Sequence, residues 1–185
     1  MILPPDAGAS KAAWRVHARR TAHIPTPSQI AQVVERLIEF LTPINGVFLF
    51  YRAVGPEVPL DGVADALGWP RFAVTRTPDE GPLTVHPAIG PMERHRFGFH
   101  QPLADALELA PHHLSAALVP GMLFDRSGTR LGHGAGYFDE LLSTLPPDRP
   151  RIGITLAGRI VDRLPVEPHD VPMTHLATES GVTPI

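Results

Sequence analysis

A strand, a glycine-rich loop and the start of a helix follow one another directly between residues 116 and 142. Residues 116–119 form a short apolar run that is typical of a buried strand, and a Pro-Gly pair ends it. A polar turn leads into residues 132–136, where glycine alternates with other residues. Residues 137–142 then place apolar side chains at helical spacing. This succession indicates a fold in which helices and strands alternate along the chain.

The rest of the chain repeats that alternation. Thr26 and Gln29 form a capping-box pair before an apolar stripe at helical spacing. Residues 47–51 are too uniformly apolar for a half-exposed strand, which indicates a central strand of a parallel sheet. Further strands are predicted at residues 72–75, 83–85 (at a sheet edge), 151–156 and 173–178, helices from Ser10 and at 61–67 and 103–109, and a tail at 179–185. The pattern predicts one α/β domain over residues 1–185 with a mainly parallel sheet.

The glycine-rich loop is suited to hold an anion. Unpaired N–H groups at a helix start attract negative charge, and glycine lets a phosphate approach the backbone closely. Arg130, before the loop, offers a fork of charged donors, and Asp139, after it, is placed to face a metal that accompanies phosphate. The spacing matches neither the dinucleotide-binding fingerprint nor the Walker loop. From the residues alone, a tightly packed structural turn is therefore an equal alternative.

Composition excludes several classes of function. The chain has no cysteine, which rules out disulfides, thiolate metal sites and a cysteine nucleophile. A formal net charge of −3 gives no support to nucleic-acid binding. No apolar run approaches the ~20 residues needed to cross a membrane. We therefore expect a cytoplasmic protein with neither nucleic acid nor membrane as a partner. Lys11 is the only lysine in the chain.

Residues 119–139 read VPGMLFDRSGTRLGHGAGYFD, which closely resembles the signature of 5-formyltetrahydrofolate cyclo-ligases, also called 5,10-methenyltetrahydrofolate synthetases. Segments 51–57 (YRAVGPE) and 164–170 (LPVEPHD) resemble two further motifs of that family, and the spacing of Lys11 and Arg15 resembles its N-terminal K-x-x-x-R pattern. The resemblance implies a three-layer α/β/α sandwich distantly like the sugar-phosphate isomerases. It is poor over residues 77–98, and the family usually carries glutamine where this chain has Arg159.

The implied reaction is the ATP- and Mg²⁺-dependent cyclisation of 5-formyltetrahydrofolate to 5,10-methenyltetrahydrofolate, with release of ADP and phosphate. In that reaction the formyl oxygen attacks the γ-phosphoryl group, N10 closes onto the activated carbon, and phosphate leaves. Such chemistry depends on placement and charge neutralisation rather than on a protein nucleophile. We expect the enzyme to act as a monomer.

Site residues follow from the resemblance, residue by residue. Glu57 is expected to contact the pterin, since a carboxylate accepts two neighbouring donors side by side. The expected ATP contacts are Lys11, Arg15, Arg130, Leu131, Gly132, His133, Gly134, Ala135, Gly136, Tyr137 and Phe138. The expected folate contacts are Tyr51, Glu57, His133 and Tyr137. Arg130 and Tyr137 are the expected catalytic residues, and Asp139 and Asp170 the expected Mg²⁺ ligands.

Two alternatives explain less of the sequence. A non-catalytic nucleotide- or folate-binding relative, acting as a regulatory or interaction module, would account for the poor match at 77–98 and for Arg159. Loss of the chemistry would be expected to erode the basic pair, both metal carboxylates and Glu57 together, yet all are present. A different sugar-phosphate or acyl-transfer enzyme on a similar sheet rests on fold analogy alone.

Overall fold

A computed structural model describes residues 3–6, 8–96 and 98–185. Among these residues, the α-helices are α1 (Lys11–Arg20), α2 (Pro27–Leu41), α3 (Asp61–Leu67) and α4 (Tyr137–Ser143). The Ser10 hydroxyl accepts from the Ala13 N–H and caps α1. The predicted capping box forms at the start of α2, with bonds in both directions between Thr26 and Gln29. These helix starts are set by local chemistry, which is why the sequence predicts them well.

A seven-stranded sheet forms the centre of the molecule, in the order β12-β11-β9-β6-β1-β2-β3. The neighbouring pairs from β11 to β2 are parallel, whereas the two edge strands, β12 and β3, pair antiparallel with their neighbours. The predicted strands are confirmed, with ends shifted by up to two residues. In chain order the strands are β1 (Val47–Phe50), β2 (Phe72–Arg76), β3 (Thr84–Pro87), β4 (Met92–Arg94), β5 (His100–Pro102), β6 (Leu114–Pro120), β7 (Leu123–Asp125), β8 (Arg130–Leu131), β9 (Arg151–Ile154), β10 (Ile160–Val161), β11 (His175–Thr178) and β12 (Gly181–Pro184).

Helices cover both faces of the sheet and make a three-layer α/β/α sandwich. Side chains at alternate positions of a strand point to opposite faces. Phe48 and Phe50 therefore pack with α2 and α3, in a core that includes Leu37 of α2. Leu49 packs on the other face, in a core that includes Leu141 of α4. The strands are buried on both sides, as the uniformly apolar run at residues 47–51 predicts.

The chain reverses its direction of travel across the sheet between β1 and β6. From β1 it passes outward to β2 and β3, and from β6 it passes the opposite way to β9 and β11. In open α/β sheets, ligands bind at the carboxyl ends of the strands that flank such a reversal. The segments that follow β1, β6 and β9 all begin at this edge.

Two smaller sheets accompany the main sheet, one of three strands and one of two. Strand β7 pairs with β8 and β10, and β4 pairs with β5 in a hairpin. Within the described ranges, no helix combines the length and apolar character needed to span a membrane.

The predicted helix at residues 103–109 is wrong. This segment has no regular helix, because its backbone bonds to β3 instead: the Leu109 N–H donates to the Val85 carbonyl over 2.7 Å. His86 is buried in β3 and contacts the Leu107 carbonyl and the Thr84 hydroxyl. Long-range pairing thus overrides the weak local helix preference.

The predicted C-terminal tail at residues 179–185 is also wrong in part. Residues Gly181–Pro184 form β12, which pairs antiparallel with β11 and closes that edge of the sheet. Val182 packs against the core formed with α2.

Candidate active site at the carboxyl edge of the sheet

The glycine-rich loop is anchored by Arg130 of β8. This buried side chain donates from Nη2 to Asp139 Oδ2 over 2.7 Å, and its guanidinium lies 5.7 Å from the centre of the Phe138 ring. The ion pair joins the strand before the loop to the first turn of the helix after it. The loop between them is thereby fixed at both ends.

Helix α1 lies against the same loop. Arg15 donates from Nε to the Gly132 carbonyl over 2.9 Å. Gly134 adopts φ +112°, and a Cβ there would lie 3.1 Å from the Arg15 guanidinium carbon. Gly136 adopts φ +74° directly before α4. At these two positions the alternating glycines serve a left-handed backbone and a close approach by arginine.

Lys11, at the start of α1, reaches the LPVEPHD segment. Its Nζ lies 3.0 Å from Glu167 Oε2 and 2.5 Å from Asp170 Oδ1, and both Lys11 and Asp170 are largely buried. Glu167, His169 and Asp170 offer ligand atoms that all lie within 4.8 Å of one another. Asp139 accepts from the N–H of Val171 over 3.2 Å, next to Asp170 in the chain.

These carboxylates fit a magnesium ion by their chemistry. Mg²⁺ in nucleotide sites is bound through one or two carboxylates together with phosphate oxygens. Asp139 and Asp170 are each paired with one cation, Arg130 and Lys11 respectively. Both cations are of the kind that contacts phosphate. The structure thus brings the predicted metal ligands and the predicted phosphate contacts together in pairs.

A cavity of about 260 Å³ opens beside the glycine loop. Its walls come from the segments after β1, β6 and β9 and from the end of α1, and include Glu57, Met122, His133, Thr155 and Arg159. Glu57 Oε2 accepts from the Val54 N–H over 2.8 Å, and Glu57 Oε1 lies 3.5 Å from His133 Nε2. The Glu57 side chain is only 11% exposed. A carboxylate therefore faces the cavity from a fixed position.

The two tyrosines differ in what they offer a ligand. Tyr51 is buried, and its hydroxyl donates to the Val58 carbonyl over 2.8 Å. Burial, and to a lesser extent the charge of Glu57, raises the pKa of Tyr51 well above its usual value. Tyr51 therefore braces residues 54–58 rather than presenting its hydroxyl to the cavity. Tyr137, at the start of α4, is 39% exposed and free to pack against a ligand.

The contacts of two residues at the candidate site are not predicted from the sequence. Glu167 shares the Lys11 ammonium with Asp170, and its position three residues before Asp170 was the available signal. Arg159 lines the cavity and donates hydrogen bonds to the carbonyls of Met122 and Ala18. Because both partners are distant in sequence, no local pattern indicates the role of Arg159.

The sequence pattern of the 5-formyltetrahydrofolate cyclo-ligase family matches residues 69–179, more than half of the chain. The chain belongs to this family. A 5-formyltetrahydrofolate cyclo-ligase from Mycolicibacterium smegmatis is 44% identical over 61 residues, which are 33% of this chain and 31% of the relative. The cyclo-ligase from Escherichia coli K12 is 30% identical over 102 residues, 54% of this chain and 56% of the relative. The matches span about half or less of these curated relatives.

Solved structures show the same fold. A 5,10-methenyltetrahydrofolate synthetase from Aquifex aeolicus superposes with a TM-score of 0.73 at 23% identity, over 94% of this chain and 92% of that chain. The synthetase from Mycoplasma pneumoniae superposes with a TM-score of 0.71 at 20% identity, over 92% and 99%. The predicted three-layer α/β/α architecture of the family is therefore confirmed.

Proposed function

We propose that this family member is an ATP-dependent ligase that cyclises 5-formyltetrahydrofolate to 5,10-methenyltetrahydrofolate. The observation that carries the proposal is the contact between His133 and Glu57. His133 belongs to the glycine loop, and Glu57 is the carboxylate expected to hold the pterin; their side chains lie 3.5 Å apart on one cavity wall. A transfer between a nucleotide and a folate requires neighbouring sites of this kind.

The cavity suits one ring system of the substrate. Its volume of about 260 Å³ lies just below the range of ~300–1,000 Å³ that encloses drug-sized ligands. A bicyclic pterin fits such a space, with the remainder of the folate extending outward. The Glu57 carboxylate would accept hydrogen bonds from the amino and ring N–H groups of the pterin.

The nucleotide would lie on the α1 side of the loop. Lys11, Arg15 and Arg130 supply three cations for the phosphates, and the loop from Leu131 to Phe138 supplies backbone N–H groups at the start of α4. Because Arg15 and Arg130 already contact the two ends of the loop, a bound phosphate would accept hydrogen bonds from donors that are already ordered. Tyr137 would pack against the ligands at the junction of the two sites.

Asp139 and Asp170 would hold the Mg²⁺ that accompanies ATP. The ion would neutralise phosphate charge during transfer. Arg130 and Lys11 keep the two carboxylates oriented in the protein alone. No protein nucleophile is needed, since the formyl oxygen of the substrate is itself the attacking group.

A spectrophotometric assay tests the proposal. Purified protein with 5-formyltetrahydrofolate and Mg-ATP should produce the near-ultraviolet band of the methenyl product, and omission of ATP should abolish it. Asp139→Asn should reduce the rate by ~100-fold or more, because it removes a carboxylate from the phosphate site. Asp79→Asn, in an exposed loop, should leave the rate unchanged. Intact Mg-ATP binding without product would instead favour the non-catalytic binding module.

A further inference from the structure

Helix α1 carries two of the proposed phosphate contacts but shares only a small core with the rest of the protein. Trp14 and Ala18 pack with Leu123, Leu131 and Leu164, in a cluster separate from the two large cores of the sheet. At its first turn α1 is held by Lys11, and in its middle by Arg15. Both of these side chains are proposed ligand contacts, so they cannot alone fix the helix when the ligand competes for them.

Arg159 holds the other end of α1. Its Nη2 donates to the Ala18 carbonyl over 3.1 Å, and its Nη1 donates over 3.2 Å to the hydroxyl of Thr21, the residue that ends the helix. Its Nε and Nη2 also donate to the Met122 carbonyl, over 3.1 and 2.6 Å. Met122 follows β6, and Arg159 itself follows β9. One side chain therefore joins the end of α1 to two central strands.

The chemistry of this contact requires a guanidinium. Three acceptors on two elements are reached from three nitrogens of one planar group, which neither an ammonium nor an amide can reproduce. The helix end also places partial negative charge next to the cation. Among the described residues no carboxylate pairs with Arg159, although it is buried, so backbone and hydroxyl oxygens alone balance it. A buried cation is costly unless it is paired or hydrogen-bonded, so the hydrogen bonds from Arg159 to the end of α1 and to Met122 offset the cost of its burial.

We propose that Arg159 is a positioning residue that fixes α1 on the carboxyl edge of the sheet and thereby sets the places of Lys11 and Arg15 at the phosphate site. The same side chain forms part of the wall of the cavity that Glu57 faces. Arg159 thus ties the geometry of the proposed nucleotide side to that of the proposed folate side. The part of the inference that concerns ATP rests on the proposed function, whereas the part that concerns α1 does not.

Amide hydrogen exchange of the ligand-free protein tests the structural part. In Arg159→Met, amides of α1 should exchange about tenfold faster than in the parent protein, since the helix loses the bonds at its end. Arg159→Lys should show an intermediate rate, because it keeps the charge but not the fork. Arg71→Met is the matched control: Arg71 also donates to a backbone carbonyl, that of Ile44, but lies at the amino edge of the sheet. It should leave α1 exchange unchanged.

Calorimetric binding of Mg-ATP and steady-state kinetics test the functional part. Arg159→Met should weaken Mg-ATP binding and raise KM for ATP by about tenfold, while kcat at saturating ATP stays within about twofold, as expected for lost preorganisation rather than lost chemistry. Unchanged α1 exchange in Arg159→Met, or equal acceleration in α1 and in the sheet strands, would overturn the inference. So would a fully normal Arg159→Lys. If Arg159→Met exchanges α1 amides faster but the parent protein binds no Mg-ATP, the role of Arg159 in fixing α1 is retained and the proposed function is refuted.

Discussion

At the scale of residues, the site consists of pairs of opposite charge. Lys11 pairs with Asp170, and Arg130 pairs with Asp139. Each pair contains one group suited to phosphate and one suited to Mg²⁺. In the protein alone the partners satisfy each other, which keeps buried charges from being left unpaired. The sequence proposes all four residues as site residues, but it does not predict that they form these two ion pairs.

Glu57→Gln should separate the two proposed sites. The amide oxygen of glutamine can still accept from the Val54 N–H, whereas its amino group replaces the acceptor that faces His133. Loss of a hydrogen bond to a charged group costs about 1.5–3 kcal/mol, so folate affinity should fall by about 10- to 100-fold. Mg-ATP affinity, measured by calorimetry without folate, should not change. Equal losses for both ligands would contradict the assignment of Glu57 to the pterin.

Gly134→Ala should damage the nucleotide side. A Cβ at this position meets the Arg15 guanidinium, and φ +112° is strained for any residue with a side chain, at a cost of about 1–3 kcal/mol. We expect weaker Mg-ATP binding together with a lower Tm. Gly158→Ala provides the control, because a Cβ there has nothing within 4 Å. If the two variants bind Mg-ATP equally well, the loop does not need its backbone geometry for binding.

At the scale of elements, one carboxylate contributes to the contact between the hairpin β4–β5 and the main sheet. Glu93 of β4 accepts from Arg76 at the end of β2, and from Gln101 of β5 over 3.1 Å. These hydrogen bonds, first that of Arg76, lower the pKa of Glu93 below its ordinary value of 4.5, and the charges of Arg76 and His95 act in the same direction. The ionised form therefore stabilises docking of the hairpin.

Glu93→Gln should consequently have a pH-dependent effect. The contribution of Glu93 is fully present above its unfolded-state pKa and is lost as the pH falls through the lower folded-state pKa. At pH 7 the variant should exchange the amides of β4 and β5 faster than the parent protein. The difference should begin to shrink as the pH falls through the unfolded-state pKa of ~4.3 and should vanish only below the lower folded-state pKa. Glu80→Gln, on an exposed loop, should show no difference at either pH. A difference that persists in acid would rule out the ion pair as its source.

Elements differ in how far the sequence predicts them. Helices α1 and α2 carry their start signals within four residues, in Ser10 and in Thr26 with Gln29, and both predictions are confirmed. Strand β12 was missed because a short, half-exposed segment becomes a strand only when the distant β11 offers its backbone. Residues 103–109 fail as a helix for the same reason. The site divides likewise: the motifs indicate its residues, whereas the partners of Arg159 and Lys11 depend on tertiary structure.

At the scale of the whole molecule, ligand binding should be visible as stability. The proposed nucleotide site draws on α1, the loop before α4, and the segment before β11, so a bound nucleotide would contact elements from both ends of the chain. A ligand at 100 times its Kd stabilises the folded state by about 2.7 kcal/mol. Mg-ATP without folate should therefore raise Tm by about 5–11 °C in thermal unfolding experiments, since each kcal/mol shifts Tm by about 2–4 °C in a protein of this size. Asp139→Asn should abolish the shift, and a shift that survives in this variant would remove Asp139 from the site.

The placement of α1 also has a consequence for the order of events during synthesis. Lys11 meets Asp170 across 159 positions of sequence, and Trp14 shares its core cluster with Leu123, Leu131 and Leu164. Helix α1 emerges from the ribosome early, yet the side chains of Leu123, Leu131 and Leu164 that pack against it lie far along the chain. Because long loops must close before such contacts form, docking of α1 is expected to be a late step of folding. A nascent chain halted after β6 would carry its only lysine, Lys11, on a helix whose partners Leu131, Leu164 and Asp170 have not yet been synthesised.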